Sequence, residues 1–370
     1  MYKPKEYLIH GLFFILTLLT TTLAGSEWVY LKSVYGEGEH ALTWEFFLKS
    51  TAYSVPFIGI LLVHELGHLF TSFYHKVKCS LPLFIPGWLG FLGGAPSIGT
   101  FGAVIRMKSF VNSRIKFFDI GVAGPLAGFV VAIMVLAYGF LTLPPAEYIY
   151  EIHPEYADPN FEVNTEETLN FRLGNNLLFS LMGDLLANPE RIPEMSEVIH
   201  YPYLFAGYLA LFFTALNLLP IGQLDGGHVV FGLFPKRHSE ISLVVFTLFL
   251  GYAGLGMISP YMPFEELIIW IPFYLVFLFF CYQRSGLDLQ TRLTIILSMA
   301  AIQYGIAFFK PGWEGYQGWL LYGFLLGRVM GVRHPEVSGF RELDTKRKVI
   351  GWLAILIFAL CFSPRPFIFE

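Results

Sequence analysis

The chain has 370 residues, of which 55% are hydrophobic and only 14% charged, with a mean hydropathy of +0.57. Soluble domains carry about 25% charged residues, so an ordinary soluble fold is excluded and a polytopic membrane protein indicated. The net charge of −4 says little about partners, and the basic residues form no stripe, so no nucleic-acid partner is expected.

Apolar runs occur near 7–24, 51–74, 117–143, 202–220, 240–258, 266–282, 291–309, 317–331 and 349–363. Several later runs are short, so the reading is an all-α membrane protein with about eight to nine transmembrane helices. The first run follows a basic start at Lys3 and Lys5. It is long for a signal peptide and no small-x-small site stands out, so it reads as a retained helix. If the runs alternate across the bilayer, one side collects Lys76, Lys78, Arg106, Lys108, Arg114, Lys116, Lys236, Arg237 and the basic segment Arg341–Lys348. The other side collects Glu37, Glu39, Glu45 and the acidic stretch from Glu147 to Glu197. The positive-inside bias then puts the N-terminus in the cytosol and the acidic loops outside.

The second run contains His64-Glu65-Leu66-Gly67-His68. On a helix the two histidines lie one turn apart on one face and can share a metal ion. Glu65, beside them, can reach a water at that ion, and His-Glu-x-x-His is a zinc-hydrolase pattern. Ionisable groups at membrane depth are functional by default, because without partners they cost several kcal/mol. The histidines sit toward the cytosolic end of this run.

Residues 79–110 follow, broken by Pro82, Pro86, Gly87, Gly90, Gly93, Gly94, Pro96, Gly99 and Gly102. Ser97–Met107 can form a short strand. Two readings stand: a re-entrant β-hairpin whose free edge pairs with an extended peptide, or an ordinary cytosolic loop. The three cysteines, Cys79, Cys281 and Cys361, are too scattered for a disulfide framework, and Cys79 reads as a buried inert thiol. In the third run Gly124 and Gly128 make a small-xxx-small packing face, Pro125 suits a first helical turn, and Asp119 reads as a cap rather than a ligand. The loop 144–200 shows no catalytic pattern, and His200 reads as interfacial.

The fourth run ends Asn217-Leu218-Leu219-Pro220-Ile221-Gly222-Gln223-Leu224-Asp225-Gly226-Gly227-His228. Pro220 and Gly222 unwind the helix and free backbone groups to line a cavity. Asp225 is either the missing oxygen ligand or a helix-ending cap. As a ligand it completes a His, His, Asp set with an open fourth position, which is a catalytic rather than structural zinc arrangement. His228 is an alternative ligand, a supporting group or plain packing. His75 and His238 read as solvated.

Taken together, the His64–His68 motif and Asn217-x-x-Pro220…Leu224-Asp225-Gly226-Gly227 resemble the site-2 proteases, intramembrane zinc metalloproteases. Gly99-Thr100-Phe101-Gly102-Ala103 and Ala123-Gly124-Pro125-Leu126-Ala127-Gly128 look like the subgroup containing the chloroplast EGY-type proteases and their bacterial relatives, without the PDZ domain some members carry. The resemblance covers about residues 55–235, with weaker similarity at His334-Pro335, where it suggests a structural or regulatory role. It implies one Zn²⁺ per chain held by His64, His68 and Asp225, with Glu65 as general base. Asn217 is a candidate donor to the substrate backbone or oxyanion, and the family's β-hairpin element implies Gly99, Thr100, Phe101 and Gly102 as the edge holding an unwound, membrane-anchored protein substrate. The expected organisation is a first helix and external loop over 1–50, a catalytic core over 51–235 and further helices over 236–370. The rivals are a metal transporter, an inactive scaffold, and a CAAX-type protease; the last needs a downstream glutamate ligand and leaves Asn217–Gly227 unexplained.

Overall fold

The computed structural model describes residues 3–92, 97–158, 171–334 and 341–369. Gly93, Gly94 and Pro96 of the expected hairpin, the middle of the acidic loop, and Pro335 lie outside these residues. In chain order the elements are α1 (Pro4–Tyr30), α2 (Trp44–Lys49), α3 (Thr51–Tyr74), β1 (Leu83–Gly87), β2 (Gly99–Val104), α4 (Arg114–Leu141), β3 (Phe171–Leu173), α5 (Leu177–Leu186) and α6 (Pro202–Leu218). They continue as α7 (Asp225–Leu233), α8 (His238–Ala253), α9 (Phe264–Cys281), α10 (Leu289–Phe309), α11 (Gly318–Phe324, running on as a π turn over Leu325–Met330), α12 (Thr345–Cys361) and β4 (Phe367–Phe369).

The protein is mostly helical and a membrane protein. Among the described residues, five helical segments are long and apolar enough to cross a bilayer: Pro4–Tyr30, Trp44–Tyr74, Arg114–Leu141, Phe264–Cys281 and Leu289–Phe309. A helix coincides with each of the other expected runs, but these are shorter: α6 and α12 have 17 residues each and α8 has 16. A span needs about 20 residues, so length alone assigns crossing to the five.

The chain divides into two compact units that are not consecutive stretches. The first holds residues 1–111, 123–216 and 356–370. Here β1 and β2 pair antiparallel, Leu83 with Val104 and Gly87 with Gly99, with a bulge between Phe84 and Pro86. The hairpin runs lengthwise along α1. Lys108 pairs with Glu6 at 2.8 Å near its base, and the Pro82 carbonyl meets His10 Nδ1 at 2.9 Å. Farther along, the Thr20 hydroxyl donates to the Gly99 carbonyl (2.7 Å) and Trp28 Nε1 donates to that of Ser97 (2.9 Å). Glu6 to Trp28 is about 33 Å of helix at 1.5 Å per residue, so the hairpin follows α1 for the thickness of a bilayer core. Gly99 is required there: its φ is +85°, and a Cβ would lie 2.3 Å from Thr21 Cα. In the same unit β3 pairs with β4 from the chain's far end, and Tyr208 Oη donates to the carbonyls of Gly174 and Pro366 at 2.7 and 2.8 Å.

The second unit holds residues 112–122 and 217–355. A buried polar chain ties α8, α9 and α10: Tyr274 Oη donates to Gln303 Oε1 (3.0 Å), and Gln303 Nε2 donates to the Gly251 carbonyl (2.9 Å). Arg114 donates through Nε and Nη2 to the Gly232 carbonyl at 2.8 and 2.6 Å. Asp119 is not a cap. It lies inside α4 and makes a bidentate pair with Arg347 at 2.7 and 2.8 Å. Pro125 likewise falls in the helix interior rather than its first turn. Because proline has no N–H, the Gly121 carbonyl loses its usual helical donor.

Candidate metal centre

α3 runs unbroken through His64-Glu65-Leu66-Gly67-His68. The spacing of four therefore brings both imidazoles to one face, with their Nε2 atoms 3.0 Å apart and the rings edge to face. Two nitrogens bound to one tetrahedral ion at ~2.05 Å lie about 3.3 Å apart, so the pair needs only a small adjustment to share a metal. His64 and Glu65 are buried, and His68 is half-buried.

The small face of α4 packs against this turn. A Cβ on Gly124 would sit 2.2 Å from His68 Nε2, and one on Gly128 would sit 3.0 Å from His64 Cβ. On the other side of the crossing, a Cβ on Gly67 would meet the Ala123 carbonyl at 2.6 Å. The small-xxx-small stripe therefore holds open the space in which the two imidazole nitrogens converge. A donor pair of this kind beside a buried carboxylate suits a borderline-soft ion such as zinc.

In the second unit, α6 ends at Leu218 with Asn217 half-buried, and Asp225 opens α7. Asp225 is the first residue of α7, and its cap residue is Leu224, so the side-chain cap reading fails. The turn between α6 and α7 depends on glycine. Gly222 has φ +56°, and a Cβ on Gly226 would lie 2.0 Å from the Leu218 carbonyl. Gly121 of α4 faces this segment, where a Cβ would meet His228 Cβ at 2.5 Å. His228 Nδ1 and His334 Nε2 lie 2.8 Å apart, and both rings pack on Phe117. His228 is thus a buried group joined to His334. His238 is not simply solvated: its ring meets Phe231 edge to face, and Nδ1 donates to the Pro235 carbonyl at 2.9 Å. Cys79, Cys281 and Cys361 are all buried, and no disulfide joins them among the described residues.

In the expected substrate edge, the Thr100 hydroxyl is buried, donates to the Ile85 carbonyl (2.9 Å) and accepts from Gly102 N (3.0 Å). Its side chain therefore holds the bulge together. Phe101 is 65% exposed and Val104 is 52% exposed, so these are the residues β2 presents outward. Among the described residues β1 is the only strand paired with β2.

The class defined so far is a helical membrane protein carrying a zinc-hydrolase motif on a long apolar helix. The chain belongs to Peptidase family M50, which residues 52–257 match. It is 34% identical over 185 residues to the probable zinc metalloprotease EGY1, chloroplastic, of Oryza sativa subsp. japonica, covering 50% of this chain and 28% of that protein. It is 33% identical over 198 residues to its Arabidopsis thaliana counterpart, 53% of this chain and 31% of that protein. To the probable zinc metalloprotease EGY2, chloroplastic, of Oryza sativa subsp. indica it is 27% identical over 261 residues, 68% of this chain and 41% of that protein. The chain thus spans less than half the length of these relatives. No solved structure matches it.

Proposed function

We propose that this protein is an intramembrane zinc metallopeptidase that hydrolyses a peptide bond within or near the transmembrane segment of a membrane-anchored protein. The observation that carries this reading is the 3.0 Å approach of His64 and His68 Nε2 beside buried Glu65, in a chain of family M50. The catalytic zinc is held by His64, His68 and Asp225, one such ion per chain. Asp225, at the first position of α7, is the third ligand in this reading.

When bound, zinc supplies Lewis acidity that polarises the scissile carbonyl and acidifies water. Glu65 takes the proton of the attacking water on its carboxylate and returns it to the departing amide nitrogen. Burial raises the electrostatic effect of both groups by excluding bulk water. Asn217, one residue before the end of α6, donates a hydrogen bond to the substrate carbonyl. The substrate is held extended along β2. Gly99 and Gly102 shape that edge, Thr100 keeps its bulge, and Phe101 contacts the incoming side chains. The length of α1 that the hairpin follows supports a re-entrant position, where backbone must be covered by protein or cavity.

The bilayer is crossed about eight to nine times once the shorter helices are counted. The N-terminus and the site face the cytosol, and the acidic loops lie outside. The deciding experiment compares wild type with Glu65→Gln on a membrane-anchored test substrate, with zinc measured in both. Cleavage lost with zinc retained is the expected result; equal cleavage would sink the assignment of Glu65. A metal transporter would lose transport instead and show no cleavage in either protein.

A further inference from the structure

The acidic loop that offered no pattern in the sequence holds a second cluster of metal-ligating side chains, formed entirely within the first unit. Ligand atoms of His153, Glu197 and His200 lie within 4.8 Å of one another. His153 precedes a short 3-10 turn at Pro154–Ala157, and Glu197 and His200 bracket another just before α6. His200 is buried, 2% exposed.

The outer nitrogens of the two rings are already committed. His200 Nδ1 lies 3.0 Å from the Val29 carbonyl, which can only accept, so Nδ1 carries the proton. That carbonyl belongs to the last turn of α1 and has no helical donor of its own. His153 Nδ1 lies 2.9 Å from Glu155 Oε1, and an ionised carboxylate likewise only accepts. Each neutral ring therefore keeps its lone pair on Nε2. These two Nε2 atoms face each other at 3.2 Å. Two lone pairs at that distance repel unless a cation lies between them. Glu197 Oε2 is buried without a hydrogen-bond partner among the described residues, 3.8 Å from His200 Nε2. A buried carboxylate oxygen left unmatched is costly and calls for a cation.

We propose that His153 Nε2, His200 Nε2 and Glu197 Oε2 bind a second divalent metal ion of the zinc type, distinct from the ion at His64 and His68. The outer shell has the form such ligands need: one imidazole oriented by a carboxylate and the other by a backbone carbonyl, each fixing the tautomer that ligates. Two imidazoles and one carboxylate make a three-ligand set. Glu197 also lines a cleft of about 500 Å³ together with Tyr156, Glu190, Arg191, Glu194 and Tyr201. The bound ion would join the turn at His153 to the start of α6 and, through His200, to the end of α1.

The test counts metal in the purified 370-residue chain. The His64→Ala/His68→Ala double variant, stripped with chelator and titrated with Zn²⁺ and then Co²⁺, is expected to retain one ion per chain. Adding Glu197→Gln, nearly isosteric, should weaken that ion at least tenfold, and adding His153→Gln should do the same. In the otherwise native chain Glu197→Gln should remove one ion and leave the other. Circular dichroism verifies that each variant is folded. A folded double variant that binds no ion overturns the proposal, and the two rings then share only a proton. An ion that survives both Glu197→Gln and His153→Gln overturns it equally.

Discussion

His64 and His68 hold their Nε2 atoms 3.0 Å apart from consecutive turns of one helix, and Gly124 of α4 lies against the second of them. The spacing of the pair is a property of α3 alone. The room around it is a property of the helix that crosses α3. Both have consequences that can be measured.

Glu65→Gln should keep zinc and lower cleavage by about 10²–10⁴-fold, the usual range for losing a general base. His64→Ala and Asp225→Ala should instead lose zinc and cleavage together. Zinc per chain and initial cleavage rates separate the two outcomes.

Gly124→Ala tests the crossing. The added methyl would sit 2.2 Å from His68 Nε2, so the ring must leave its position or the helices must part. Zinc affinity should fall at least tenfold. Gly128→Ala meets His64 Cβ at 3.0 Å and should cost less. Gly59→Ala, with nothing within 4 Å of the new methyl, should leave zinc binding as it is. Equal affinities for all three would show that the helix crossing does not shape the site.

The Asp119–Arg347 pair should matter for stability rather than for the reaction. Both side chains are partly buried, so removing Arg347 leaves a poorly solvated carboxylate. Arg347→Ala is expected to cost about 2 kcal/mol, in the range for hydrogen bonds to charged groups. Arg347→Lys should recover only part, because an ammonium cannot bond both oxygens in parallel. A double-mutant cycle with Asp119→Ala, read by thermal unfolding in detergent, gives the coupling directly.

Chelation should lower the thermal midpoint, since an ion bound only to the folded chain stabilises it. At a free ion concentration 100 times its Kd the stabilisation is about 2.7 kcal/mol per site. Readdition of Zn²⁺ should restore the midpoint, in two resolvable steps if the His153–His200 site also fills.

Phe101→Ala should raise KM for a membrane-anchored substrate while leaving zinc content unchanged, because Phe101 is the more exposed of the two outward side chains of β2 and packs little of the fold. A kcat loss accompanied by zinc loss would mean instead that the hairpin supports the metal centre.

The sequence by itself determined what depends on near neighbours. Apolar run length located every long helix, because a helix in lipid satisfies its backbone within its own segment. The four-residue spacing of His64 and His68 put them on one face, since helix geometry is local. The run of glycines and prolines over 79–110 marked non-helical backbone beside the site. The pairing of Leu83 with Val104 and the placement of the hairpin along α1 came only with the fold. Asp119 looked like a cap from its neighbourhood, yet its partner Arg347 lies 228 residues away. Thr100 looked like part of a binding edge, yet its hydroxyl closes a bulge onto Ile85. His153 and His200 gave no pattern, because 47 residues separate them, and the three-residue spacing of Glu197 and His200 does not point to a metal without the second histidine. Tertiary structure decided each of these, since a side chain's partner is set by which elements pack together and not by the residues next to it in the chain.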